Sequence, residues 1–113
     1  MQSAVLSKSD SIRALNDRCR QTFTGCLVTV TSAFNALPTE VKSRALQKVR
    51  AFAEFDDDND PHHEHDMAFF DDGGDRFFFK IDYFDLNLEC HSPNAADPAV
   101  TTRSLTIGLA SDY

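Results

Sequence analysis

Residues 67–84 run MAFFDDGGDRFFFKIDYF, and the fold turns on how this stretch is read. Met67 to Phe70 makes one extended arm, Asp71 to Asp75 (DDGGD) a turn, and Arg76 to Phe84 the returning arm. Paired glycines between two aromatic runs signal a hairpin, because glycine accepts the positive φ that tight hairpin turns demand. Alternation along the returning arm sends Phe77, Phe79, Ile81 and Tyr83 to one face, and Phe78, Lys80, Asp82 and Phe84 to the other. Two rows of large side chains need two kinds of cover.

Upstream lie the helices that cover the first row. Ser9 or Asp10 caps a first helix whose Ile12, Leu15, Cys19 and Phe23 recur at helical spacing, with Gly25 as its stop. Cys26 to Thr31, CLVTVT, is short and β-branched and predicts a strand. A turn over Ser32 to Leu37 leads to Pro38, a residue suited to a first helical turn. The second helix gathers Val41, Ala45, Leu46, Val49, Phe52 and Ala53 on one face. Lys42, Arg44, Lys48 and Arg50 lie largely off that face, as solvated cations or as a binding patch.

Downstream, Leu86, Leu88 and Cys90 alternate with Asn87 and Glu89, which predicts a further strand. HSPNAADPA is a loop, and Leu105, Ile107 and Leu109 alternate again, predicting a last strand over residues 104–110. A helix capped by Asp97, with Pro98 at its first position, is the competing reading. The expectation is an α+β domain: a small antiparallel sheet of four to five strands packed on two helices from the N-terminal half. A chain of 113 residues makes one domain, 1–113, with residues 1–10 as a flexible N-terminus and 54–66 as a loop.

That loop opens an acidic block, Glu54 to Asp75, reading EFDDDNDPHHEHDMAFFDDGGD. It carries Glu54, Asp56, Asp57, Asp58, Asp60, Glu64, Asp66, Asp71, Asp72 and Asp75, with His62, His63 and His65 and no Lys or Arg. The whole chain has a formal net charge of -7, but residues 1–50 balance at +5 and residues 51–113 at -12. Phosphates would be repelled from the second half, so direct nucleic-acid binding is not expected there; basic proteins are the favoured partners.

No run approaches the 18 apolar residues a membrane span needs, and the N-terminus MQSAVLSKSDS has no secretory pattern. Cys19, Cys26 and Cys90 are odd in number and lack CxxC spacing, so reduced thiols in a cytoplasmic protein are expected.

Several ordered motifs carry a family resemblance. They are Ile12-Arg13-Ala14-Leu15-Asn16-Asp17, Thr22-Phe23-Thr24-Gly25, Asp58-Asn59-Asp60-Pro61 and Glu64-His65-Asp66. Phe78-Phe79-Lys80-Ile81-Asp82-Tyr83 with Asp85, Asp97 to Arg103 (DPAVTTR), Leu105-Thr106-Ile107 and Tyr113 complete the set. From about residue 11 onward the chain resembles a bacterial family known as domain of unknown function 3768. The resemblance implies a small bacterial protein of the kind often carried on plasmids and other mobile elements. His62-His63 and Met67-Ala68 depart from the family pattern, where an aromatic residue with glycine and Phe-Gly are more usual. The resemblance carries no activity with it.

Chemistry is thinly signalled. Asp56, Asp58 and Asp60 alternate like the start of an EF-hand loop, but Pro61 and Met67 occupy the places of its glycine and its bidentate glutamate. A looser set, Asp60, Glu64, His65 and Asp66, is the metal-ligand alternative, suited to zinc or manganese, against carboxylates that merely cap turns. Lys80 and Asp82 share a strand face, and Asp82 and Asp85 flank Tyr83 as acid–base candidates. Cys90 and His91 are adjacent and point apart in a strand. GxSxG, P-loop and GxGxxG motifs are absent, so neither an enzyme nor a cofactor is expected.

A binding protein is the favoured class. Ordered carboxylates can stand in for phosphates on a basic channel, which suggests a stoichiometric inhibitor of a nucleic-acid-binding defence complex, of the anti-CRISPR or anti-restriction type. The expected contact residues are Asp56, Asp57, Asp58, Asp60, Glu64, Asp66, Asp71, Asp72 and Asp75, with Phe78 and Phe84 as an apolar partner or homodimer surface.

Overall fold

A computed structural model describes residues 7–113. Helix α1 spans Lys8–Thr22, and its N-terminus shows why it begins there: the Ser7 hydroxyl accepts the Asp10 N–H at 3.1 Å. The cap thus sits two residues earlier than Ser9. Lys8 to Asp10 are helical, not flexible, while the expected flexibility of residues 1–6 lies outside the described residues. The helix ends at Phe23, which turns left-handed at φ 55° and donates its N–H to the Cys19 carbonyl, two residues ahead of Gly25.

Strand β1 is Leu27–Val30, followed by a short helix α2, Ser32–Asn35, where only a turn was expected. The Thr31 hydroxyl accepts the Phe34 N–H at 3.2 Å and starts that helical turn. Helix α3 is Thr39–Ala51, with Pro38 just outside its first turn. Strand β2, Met67–Asp72, and strand β3, Asp75–Phe84, form the hairpin around Gly73 and Gly74, both at positive φ (59° and 88°). Strand β4, Thr102–Leu109, and a 3₁₀ turn, Ala110–Asp112, finish the chain.

The sheet order is β1-β4-β3-β2. β3 is antiparallel to both neighbours, but β1 runs parallel to β4, with Leu27 opposite Ser104 and Val30 opposite Ile107. The sheet is therefore mixed rather than antiparallel. A parallel pair needs a long crossover, here all of α2, α3 and the hairpin, and nothing in a strand's own residues announces its direction.

The expected parity of the hairpin holds. Phe77, Phe79 and Ile81 of β3, Ala68 and Phe70 of β2, and Leu105 and Ile107 of β4 are buried against Ile12, Cys19, Phe34, Ala45 and Val49 of the helices. Phe77 stacks on Phe70 at 5.4 Å and meets Phe34 edge-on at 5.9 Å. Each such ring or branched side chain contributes roughly 1.5–3 kcal/mol by burial. A disulfide, Cys19–Cys26, ties the last turn of α1 to the entry of β1. This corrects the expectation of three reduced thiols: the eight residues 19–26 bend back on themselves, and only Cys90 is free.

On the opposite face Phe78 is only 4% exposed. It lies under Tyr113, with ring centres 5.4 Å apart, beside Phe69, and over Gly108, where even a β-carbon would fall 2.8 Å from its ring. The cover comes from Tyr113, while the acidic loop lies on the helix side.

Two expected elements are not formed. Residues 86–90 make a turn, because Asp85 gathers it: its carboxylate accepts the Glu89 N–H and its carbonyl the Leu88 N–H. Asp97 starts no helix; its carboxylate accepts the Ala99 N–H in a tight turn before β4.

Candidate functional site

The acidic loop is an ordered structure. The Asp56 carboxylate accepts the N–H groups of Asp58 and Asn59, each at 2.9 Å. The Asn59 amide accepts the Asp56 N–H at 2.8 Å and donates to the Glu54 carbonyl at 2.9 Å. These local bonds suit Asp and Asn, whose short side chains reach their own backbone. Glu54, Asp56, Asp57 and Asp58 remain exposed, and among the described residues no Lys or Arg pairs with them.

Asp60 plays a different part. It is 2% exposed, and its Oδ1 accepts the Glu64 N–H at 3.0 Å and the His65 N–H at 3.1 Å. It staples a segment in which His63 and His65 both sit at positive φ, 57° and 54°. His65 Nδ1 lies 2.8 Å from Asp17 Oδ1 of α1, and its ring stacks on Phe55 at 3.9 Å.

Beneath the loop is a buried polar cluster. The Tyr83 hydroxyl donates to Glu64 Oε1 at 2.7 Å, while Asn16 Nδ2 donates to the Tyr83 oxygen at 2.8 Å and to the Glu64 carbonyl at 3.0 Å. Arg103 Nε donates to Asn16 Oδ1 at 2.8 Å, its guanidinium lies over the Tyr83 ring, and a second nitrogen bonds the Ala95 carbonyl. Burial, and then the Glu64 carboxylate, push the Tyr83 proton affinity up strongly, and burial lowers that of Arg103. Asp66 is also raised, by burial first and then by the Glu64 and Asp60 charges. A tyrosine held protonated and committed to Glu64 makes a clamp and not a base or nucleophile.

Of the metal-ligand alternative, Asp60 Oδ2 lies 3.6 Å from His65 Nε2. Asp60 faces inward, Glu64 is engaged by Tyr83, and no group of three His, Cys, Asp or Glu converges among the described residues.

At the hairpin two of the three carboxylates, Asp71 and Asp72, are paired with cations. Asp72 lies 3.0 Å from both Arg44 Nε and Lys48 Nζ, which hold its carboxyl below the usual range. Asp71 pairs with Arg76, and Asp75 is exposed. The cations of α3 are thus largely engaged within the molecule: Lys42 bonds the Asn35 carbonyl, and Arg50 the Gln21 carbonyl. A groove of about 530 Å³ between the end of α3 and β2 is lined by Lys48, Phe52, Phe69, Phe70 and Arg76. Its two cations are the ones already paired.

Of the expected contacts, then, Asp56, Asp57, Asp58, Asp71 and Asp75 are exposed, Glu64, Asp66, Asp72 and Phe84 half-buried, and Asp60 and Phe78 buried. Phe78 offers no apolar surface because Tyr113 occupies it. Lys80 and Asp82 do pair, at 3.3 Å. Cys90 lies in the exposed turn, and His91, also exposed, bridges to Phe84 just beyond it.

Three buried residues had been passed over. Asn16 and Arg20 lie at helical spacing from Ile12 and Cys19, and Arg103 shares strand parity with Leu105 and Ile107. A polar residue at an inward position is the signal that could have found them. Arg20 is 1% exposed, donates to the Val49 and Phe52 carbonyls at the end of α3, and lies over Phe55 and Phe79.

Asn16, Asp60, Glu64, His65, Tyr83 and Arg103 all come from the motifs that carry the family resemblance, and the fold brings them into one connected cluster. No curated protein and no solved structure matches the chain. The family described as Protein of unknown function (DUF3768) matches residues 30–112, most of the chain though not α1, and the chain belongs to that family.

Proposed function

We propose that this is a non-enzymatic interaction protein whose ordered acidic turn, Glu54 to Asp58, docks on a basic, nucleic-acid-binding surface of another protein. The observation that carries this reading is the state of those carboxylates: all exposed and unpaired with any described Lys or Arg, on a turn whose backbone the Asp56 carboxylate and the Asn59 amide hold in place. A fixed array of negative oxygens offers a cationic channel what phosphates offer, without the entropy loss of ordering a flexible tail. The negative balance of residues 51–113 adds the long-range field. Inhibition of a host defence complex, of the anti-CRISPR or anti-restriction type, is the biological role that fits, and the cytoplasm is where such a complex works. No helix among the described residues is long and apolar enough to cross a membrane.

The test is retention of bacterial proteins on the immobilised chain, compared with the triple variant E54K/D57K/D58K. Asp60 is left intact because it staples the loop. Nucleic-acid-binding proteins should be retained at low salt, released by raised salt or by duplex DNA, and lost on the variant at unchanged Tm. Equal retention by the variant overturns the reading.

A further inference from the structure

The turn Asp85 to Cys90 presents two leucines to solvent, Leu86 at 61% exposure and Leu88 at 50%. Three hydrogen bonds fix it. The Asp85 N–H reaches the Cys90 carbonyl at 2.9 Å, the Leu88 N–H the Asp85 carbonyl at 3.1 Å, and the Glu89 N–H the Asp85 carboxylate at 3.0 Å. Leu88 stands at φ 60°, a left-handed conformation that costs a residue with a β-carbon. Strain kept in order to hold an apolar side chain outward points to use of that side chain.

The charged side chains of the tip itself have one sign. Asp85 and Glu89 lie in it, and the chain has no Lys or Arg between Lys80 and Arg103. Lys80 and Asp82 pair and cancel each other, and Arg103 is buried, so the tip keeps the charges of Asp85 and Glu89. Anionic lipid and nucleic acid are both disfavoured by these carboxylates, whereas a protein socket with an apolar floor and a Lys/Arg rim meets the leucines and the charges together. We infer that the Asp85–Cys90 turn is a docking tip whose Leu86 and Leu88 enter such a socket on a basic protein partner. The inference rests on the proposed reading of an acidic interaction protein and adds to it a second contact that salt does not screen.

Cys90, free and exposed within the turn, supplies the probe. The full chain, labelled there with a benzophenone maleimide, is irradiated in bacterial lysate; the adduct is identified and its protein purified. Binding of that protein is then measured at low and raised salt to wild type, to L86S/L88N and to E54K/D57K/D58K. Asparagine at position 88 suits the left-handed backbone, so the turn persists, which unchanged Tm checks. The expected result is a loss on the order of a hundredfold for L86S/L88N at both salts, the worth of two buried leucines. The charge-reversed variant should lose only the salt-sensitive part. Unaltered binding by L86S/L88N, adducts to lipid alone, or no adduct at all overturns the tip. If E54K/D57K/D58K binds like wild type while L86S/L88N fails, the acidic turn is refuted and the tip stands.

Discussion

The acidic turn at residues 54–60 and the hairpin end at residues 71–76 both gather carboxylates, and hold them by opposite means. In the turn, Asp56 and Asp60 are held by backbone N–H groups, while Asp57 and Asp58 project into solvent, Asp57 with only His63 near it at 3.8 Å. At the hairpin, Arg44, Lys48 and Arg76 close on Asp72 and Asp71. Backbone dipoles fix a carboxylate while leaving its net charge in the field, whereas a cation cancels it. A count of acidic residues treats the two regions as one block. The structure divides them into a surface that can act at a distance and a joint that fastens the hairpin to α3.

The comparison can be broken most severely at Asp60. Asp60→Ala leaves the Glu64 and His65 N–H groups without their acceptor beneath the loop, and a loss of about 2–4 kcal/mol is expected by chemical denaturation. Loss of order in 54–66 should accompany it, read from amide exchange. Tyr83→Phe removes the hydrogen bond to Glu64 and the Asn16 acceptor, for about 1–2 kcal/mol. If that variant matches wild type, the cluster is not what holds the loop.

Asp66 and Asp72 sharpen the contrast through pH, and with opposite signs. Burial raises the Asp66 carboxyl, so its charged form disfavours the fold above that raised value. Asp66→Asn should therefore raise Tm at neutral pH, with the gain vanishing once pH falls below the ordinary 3.8. Lys48 and Arg44 depress Asp72, so its contribution is complete above 3.8 and disappears as pH falls through the depressed value. Asp72→Asn should then cost stability at neutral pH, less in high salt, and nothing in strong acid, as thermal melts across pH would show. Smallest of all, D57N/D58N should leave Tm unchanged while flattening the salt dependence of partner binding. A stability change there would mean that these carboxylates are structural after all.

Much of the frame was legible because it rests on period. The parity of Phe77 through Phe84, the apolar face of α3 and the strand at Leu105 and Ile107 follow from side-chain alternation that burial enforces. The same rule misled at Leu86 and Leu88, where an alternating apolar pattern faces solvent because Asp85 closes a turn. Periodicity records spacing, and only partners decide which side is inside. The site was half legible. Asp56, Asp57 and Asp58 were named from composition, but Asp60 was grouped with them, since nothing local separates a carboxylate bonded to the backbone four residues on from one in water. Asn16 and Arg103 meet across 87 residues of sequence, a distance no motif spans.

The bond between Cys19 and Cys26 gives the molecule a memory of its surroundings. Closing so short a loop restricts the unfolded chain by about 2.5 kcal/mol on the loop-entropy relation, enough to shift a melting curve without deciding whether the chain folds. Chains alkylated at the moment of lysis, and weighed afterwards, would carry three adducts if they had lived among reducing thiols and one, at Cys90, if they had not.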